Sequence, residues 1–194
     1  YILNLPAIIT LKNGDLVYTG KRLNKNIYEP ENFTDREIEH LLTMVFPDVR
    51  LKKYIEIRMG DSLPYPYSIS YALFWQGLLY NKFNLNKLYG QAKKYSKGDI
   101  INIKNCIRDK GSVAVGYGKP LIDFMLELIE MASSGLKDEE LVLLNLLKNM
   151  VLKYGVPKKK TLNDYHKTNN ITNSLDWCIV QGGVLDDKRD LQSI

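Results

Sequence analysis

The feature that most limits this 194-residue chain is a change of hydrophobic period part-way along it. As far as residue 58, short apolar runs alternate with polar residues or are cut by turn signals. From Ser68 onward, apolar residues recur at helical spacing almost to His166. Two-residue alternation turns one strand face toward a core, whereas the 3.6-residue period makes a helix stripe. Strands gathered at one end and helices at the other predict an α+β chain rather than repeated βαβ units.

Residues 1–20 predict a hairpin. Ile2-Leu3 and Ala7-Ile8-Ile9 lead in, Asn13-Gly14 turns, and Leu16-Val17-Tyr18 returns. Asn-Gly suits a tight turn whose two central residues need positive φ. Pro6 marks an edge or an irregularity, because it has no N–H to give a ladder. Thr34 and Glu37 have capping-box spacing ahead of Ile38, Leu41, Leu42 and Val45, and Pro47 stops that helix. Residues 49–58 return to period two and predict one strand. Ile55 and Ile57 point to a core face, and Tyr54, Glu56 and Arg58 share the opposite one. Ser68 is the expected cap of a dense apolar segment, Tyr71 to Tyr80, expected to be a buried helix. Helices are predicted over 85–95 and 99–108, from Pro120 to Gly135, from Asp138 to Gly155, and briefly over 161–166. The polar end beyond them, residues 167–194, is expected to be loosely ordered.

Several function classes are set aside by composition. The net charge is only +5, and its lysine clusters are dispersed, so no nucleic-acid partner is expected. No apolar run reaches the roughly 18 residues of a membrane span, so no membrane partner is expected. Cys106 and Cys178 are too few for a disulfide framework, which points to a reducing, cytoplasmic setting. Gly116-Tyr117-Gly118-Lys119-Pro120 lacks the spacing of a phosphate-binding loop. His40 and His166 stand apart, outside any zinc motif.

Glu56 and Arg58 are the exception. At i and i+2 of a strand they lie on one face, about 6.5–7 Å apart. A carboxylate is a hard oxygen ligand for Mg²⁺, and a guanidinium grips a carboxylate or phosphate with two parallel donors. Together they suit phosphoryl chemistry on a carboxylic acid. Spacing alone favours a solvated salt bridge, since such pairs are common and weak.

The surrounding residues are more specific. Phe46-Pro47-Asp48-Val49-Arg50-Leu51-Lys52 runs into Tyr54-Ile55-Glu56-Ile57-Arg58, followed by Asp61, Pro64 and Phe74-Trp75-Gln76-Gly77-Leu78-Leu79-Tyr80. This stretch resembles a signature region of glutamate–cysteine ligases of the plant and proteobacterial type. Tyr1, Pro6, Thr19 and Gly20 fit that family's preceding hairpin, and Gly135 and Thr161–Tyr165 fit more loosely.

The resemblance implies part of a glutamine-synthetase-like antiparallel sheet with helices packed outside. It implies a ligase that uses Mg²⁺ with ATP to phosphorylate the γ-carboxylate of glutamate, after which the amine of cysteine attacks, as the first step of glutathione synthesis. By resemblance, Glu56 is the metal ligand and Arg58 the catalytic, substrate-binding residue. Tyr54 and Trp75 are candidates for lining the substrate pocket, and Arg50 is expected to be a structural cap. Members of the family are longer. Residues 1–166 are therefore expected to be the C-terminal part of a catalytic domain, with 167–194 an extension. The partner is then the missing N-terminal portion, and this piece is expected to be inactive alone. Two departures stand out. Met59-Gly60 replace the family's Gly-Ala, and Tyr65-Pro66-Tyr67-Ser68 replace a basic loop. They leave open a related ligase with another acceptor amine, or a non-catalytic binding module of the same fold.

Overall fold

The computed structural model of the chain describes residues 1–12, 15–28, 30–60 and 62–179. It divides into two compact units, Tyr1–Asp61 and Ser62–Ile194, at a boundary inside the expected 1–166 segment. Helices dominate, and the described strands form three separate two-stranded antiparallel ribbons, in keeping with an α+β chain.

In the first unit, β1 (Ile9–Lys12) pairs with β2 (Asp15–Tyr18), Ile9 opposite Tyr18 and Lys12 opposite Asp15. The expected Asn13-Gly14 turn lies outside the described residues. Ile2–Asn4 form a 3₁₀ turn rather than strand, and Pro6 makes only an isolated bridge with Leu23. Helix α1 (Asp35–Thr43) starts with the expected capping box. The Thr34 N–H donates to Glu37 Oε2 at 2.9 Å, and the Glu37 N–H to Thr34 Oγ1 at 3.3 Å. Among the described residues of this unit, Ala7, Tyr28, Leu41 and Val45 are the buried apolar ones. The Thr19 hydroxyl donates to the Ala7 carbonyl, and His40 Nε2 lies 3.1 Å from the Ile9 carbonyl oxygen.

Residues 49–58 are a hairpin rather than one strand. Strand β3 (Val49–Leu51) turns through Lys52, Lys53 and Tyr54 into β4 (Ile55–Ile57), with Arg50 opposite Glu56. The adjacent lysines break the alternation, and the Lys52 N–H closes the turn on the Tyr54 carbonyl at 2.8 Å. The expected core face of Ile55 and Ile57 is only partly kept, since Ile57 is half-buried and Ile55 is exposed. Leu51 and Ile55 are 70% and 67% exposed, while Arg50 is buried.

The second unit holds α2 (Tyr67–Leu79), α3 (Lys82–Ala92), α4 (Lys97–Lys110), β5 (Val115–Gly116), β6 (Lys119–Pro120), α5 (Leu121–Ser133), α6 (Asp138–Tyr154), α7 (Pro157–Thr168) and α8 (Ile171–Leu175). Its starts come earlier than the apolar pattern suggests, because caps precede stripes. Pro66 rather than Ser68 stands at the α2 N-cap, Asn81 accepts from the Phe83 and Asn84 N–H groups, and Ser96 forms a capping box with Asp99. Lys137 is the α6 N-cap and Asp138 its first residue. Pro157 opens α7 at the first helical position, so the helix exceeds 161–166 at both ends. Residues 171–178 are helical turns, with Trp177 Nε1 donating to Thr161 Oγ1 at 3.0 Å. Residues 180–194 lie outside the described residues.

Helix α2 is buried on one face only, where it packs on α5 and α6. Leu78, Ile129, Ala132, Leu144 and Val151 form the centre. The helices meet there backbone to backbone. A Cβ at Gly77 would strike the Ala132 carbonyl, and one at Gly135 would strike the Gly77 carbonyl. Asn84, fully buried, locks this junction. Its amide donates to the Gly77 carbonyl at 2.9 Å, the Met131 carbonyl at 2.7 Å and Ser134 Oγ at 3.2 Å.

A pair of variants isolates this contact. In a free helix, Gly→Ala stabilises by about 0.5–1 kcal/mol. Gly90, in α3, has open space where its Cβ would be, so Gly90→Ala should show that gain. Gly77→Ala should instead cost about 2 kcal/mol or more, because backbone cannot yield as a side chain does. Urea denaturation of both variants checks this. Equal stabilisation by the two would remove the close approach as a constraint.

Candidate functional site

The β3–β4 hairpin carries Glu56 between two arginines. Arg50 Nε donates to Glu56 Oε2 at 2.9 Å and its Nη2 lies 2.7 Å from the same oxygen. Arg58 Nη1 donates to Glu56 Oε1 at 2.6 Å. The side chains are 9% exposed for Arg50, 25% for Glu56 and 30% for Arg58. Arg58 lies just past β4, where its N–H extends the ladder to the Asp48 carbonyl at 2.8 Å, and its guanidinium carbon sits 5.0 Å from the centre of the Phe46 ring.

Arg50 also caps α1. Its Nη1 donates to the carbonyls of Leu42, Thr43 and Val45 at 3.2–3.3 Å. Two of these belong to the last helical turn, whose carbonyls have no partner within the helix and carry the negative end of its dipole. The expected structural role of Arg50 is met, at the end of α1 rather than at the strand entrance. That Arg50 faces Glu56 was not legible while 49–58 read as one strand. The adjacent Lys52-Lys53 pair was the signal for a turn.

The Glu56 carboxyl is held below its ordinary range. The hydrogen bond from Arg50 is the largest cause; desolvation opposes it, and Arg58 adds a second bond, with both charges contributing. Both oxygens are therefore engaged. For Mg²⁺, Glu56 offers one hard oxygen donor, and only in exchange for a guanidinium. Among the described residues, no group of three or more His, Cys, Asp or Glu side chains gathers to hold a metal.

The other expected site residues are placed differently. Tyr54 lies in the turn of the hairpin, 61% exposed, and not on the strand with Glu56. Trp75 belongs to α2 of the second unit. Its half-buried ring meets Phe74 at 5.2 Å and Tyr71 at 6.1 Å, and its Nε1 is buried with no hydrogen-bond partner. Glu56 and Arg58 are thus brought into direct contact within one unit.

Comparison with known proteins finds similar chains. A chloroplastic glutamate–cysteine ligase of Medicago truncatula is 29% identical over 136 residues, covering 66% of this chain and 26% of that protein. The one from Brassica juncea is 26% identical over 181 residues, covering 86% and 34%. That of Arabidopsis thaliana is 29% identical over 136 residues, covering 66% and 25%. Over part of its length the chain is similar to plant glutamate–cysteine ligases. It spans about a quarter to a third of the length of these curated ligases. No protein-family model matches it. These ligases are named as chloroplastic, so the cytoplasmic setting expected from the cysteine count gains no support from them. No helix among the described residues is long and apolar enough to cross a membrane.

The charge network gives a pH prediction with a definite sign. A depressed carboxyl stabilises the hairpin above the ordinary glutamate range, and that contribution is lost as pH falls through its folded value. Carbon-detected NMR titration of Glu56 should show a midpoint below that of an exposed glutamate. Arg50→Gln should raise it more than Arg58→Gln does. Arg50→Gln should also destabilise the unit by about 2 kcal/mol or more, through the α1 carbonyls it orphans. An unshifted Glu56 midpoint would dismiss the network.

Proposed function

We propose that this chain is the C-terminal portion of an ATP-dependent glutamate–cysteine ligase, with Arg58 as its substrate contact. One observation carries the reading. In a relative of these ligases, the strand Arg of the signature region is held by Glu56 on one side and the Phe46 ring on the other, with part of its side chain open to solvent. A guanidinium fixed beforehand loses little freedom when it takes up a carboxylate, which is what a positioned catalytic cation requires.

In the proposed reaction, the γ-carboxylate of glutamate attacks the γ-phosphorus of ATP and expels ADP. The amine of cysteine then attacks the γ-carbonyl carbon, and phosphate leaves with the bonding pair while the amine sheds a proton. Arg58 pairs with the anionic glutamate carboxylate and acyl phosphate, where negative charge accumulates. Arg50 and Glu56 hold its direction. Mg²⁺, when bound, would supply charge neutralisation at the triphosphate, and Glu56 would offer it one oxygen donor in exchange for a guanidinium. One carboxylate does not make a site for metal and triphosphate. The remaining ligands, and the rest of a glutamine-synthetase-like sheet, are assigned to the portion of the relatives that this chain does not span. The 194 residues alone are accordingly inactive, and the cytoplasmic location is part of the same proposal.

The test uses the longer protein that contains this chain, supplied with glutamate, Mg²⁺ and ATP. ADP release should depend on cysteine. Arg58→Gln should lower kcat/KM about a hundredfold, and Arg58→Lys should restore part of it. The 194-residue piece should release no ADP. Other amines are run beside cysteine, because Tyr65–Ser68 differs from the family loop. Turnover only with another amine selects a different acceptor. Absence of turnover with every amine makes the chain a binding module.

A further inference from the structure

The second unit contains a hollow of about 550 Å³ that Trp75 helps to line and that the chemistry proposed for Glu56 and Arg58 does not use. Phe74, Trp75, Tyr95, Tyr117 and Phe124 supply aromatic surface, and Leu78, Leu88 and Ala92 add aliphatic surface. The size falls within the range of small-molecule sites, and an aromatic lining with a few polar groups is their usual composition. Lys94 and Lys119 also line it, together with Glu127, which holds Lys119 Nζ through both oxygens at 2.6 and 2.8 Å. Two ammonium groups thus stand against one carboxylate.

One wall of the hollow is held against the preference of its own backbone. Tyr117 and Gly118 form the turn between β5 and β6 with φ of 56° and 79°. Glycine takes that conformation freely, but a bulky side chain there is a genuine outlier. The Tyr117 ring is fixed by stacking on Phe124, centroids 4.3 Å apart, and by the edge of Tyr95 at 5.2 Å. Strain of this kind persists only where the surroundings over-determine it, and it concentrates at binding and catalytic sites. Trp75, which also lines the hollow, keeps its buried indole N–H without an acceptor. The Gly116–Pro120 stretch, which fails as a phosphate loop, finds its place as this wall.

We propose that this hollow is a binding site for a flat aromatic ring carrying one anionic group. The rings stack on or edge against the ligand, and the excess ammonium charge contributed by Lys94 meets its anion. The inference stands on the second unit alone and does not depend on the ligase reading.

The probe is 1-anilinonaphthalene-8-sulfonate, with N-phenyl-1-naphthylamine as its uncharged counterpart, titrated into the 194-residue chain. The sulfonate dye should bind at one saturable site. Ala92→Phe, which fills the hollow, should weaken both dyes about tenfold. Lys94→Glu should weaken the sulfonate dye about three- to tenfold and leave the neutral dye unchanged. If Ala92→Phe leaves both titrations unchanged, the dyes sit elsewhere and the proposal fails. It also fails if Lys94→Glu affects both dyes alike. Should Ala92→Phe not fold, photolabelling of the unmodified chain with 4-benzoylbenzoate decides. Label on peptides containing Trp75, Tyr95 or Tyr117 supports the site, and label confined to other peptides overturns it. Competition by AMP would identify the natural source of the ring and anion as a nucleotide. Competition by benzoate alone would identify an aromatic acid.

Discussion

The contact of α2 with α5 at bare backbone governs the second unit. Gly77 brings its own carbonyl against Gly135 and lets the Ala132 carbonyl occupy the space of a side chain. At that separation, Leu78, Ile129, Leu144 and Val151 close into one cluster around the junction. Close approach also creates a polar problem, because carbonyls near helix ends are shut away from water. Asn84 answers it with three hydrogen bonds from one amide, to groups on α2 and α5. A buried asparagine and two glycines are therefore a single device. Any one of them read alone would count against a well-packed helix.

The first unit is organised differently. Its β3–β4 hairpin carries Arg50, whose guanidinium serves Glu56, two carbonyls of the last turn of α1 and that of Val45 just beyond it. A buried guanidinium is tolerable when its donors are used and a carboxylate balances it. That burial accounts for the exposure of Ile55, which the alternation placed on the core face. With the charged residues turned toward α1, the alternation of the strands leaves Val49, Leu51 and Ile55 outward.

Much of the architecture was legible from period and punctuation. The capping box at Thr34 and the helix that Gly155 closes were readable because they depend on local chemistry, whereas the short β5–β6 ribbon between α4 and α5 breaks the expected order of strands before helices. The β3–β4 turn was misread because three residues around Lys53 carry neither Gly nor Pro, so alternation appeared to run through. The helix starts at Asn81 and Ser96 were passed over in favour of apolar stripes, though both residues are strong caps. The burial of Arg50 was beyond any local pattern, since it is decided by α1 and β4 together. At the site, Glu56 and Arg58 were correctly read as neighbours. Tyr54 shared their face only in a strand that does not exist.

The Arg50–Glu56–Arg58 network also bears on what the hairpin can receive. Two guanidiniums and one carboxylate leave a net positive charge, with the central carboxylate already saturated on both oxygens. Such a group attracts an anion more readily than a divalent cation, because the cation must first displace a guanidinium and then sit beside it. An incoming carboxylate or phosphate changes that balance. It gives Arg58 a second partner and loosens its claim on Glu56 Oε1. Release of Glu56 Oε1 is then coupled to the arrival of an anion at Arg58. On the proposed ligase reading, Arg58 would be the primary contact, and Glu56 would position it before taking any other role.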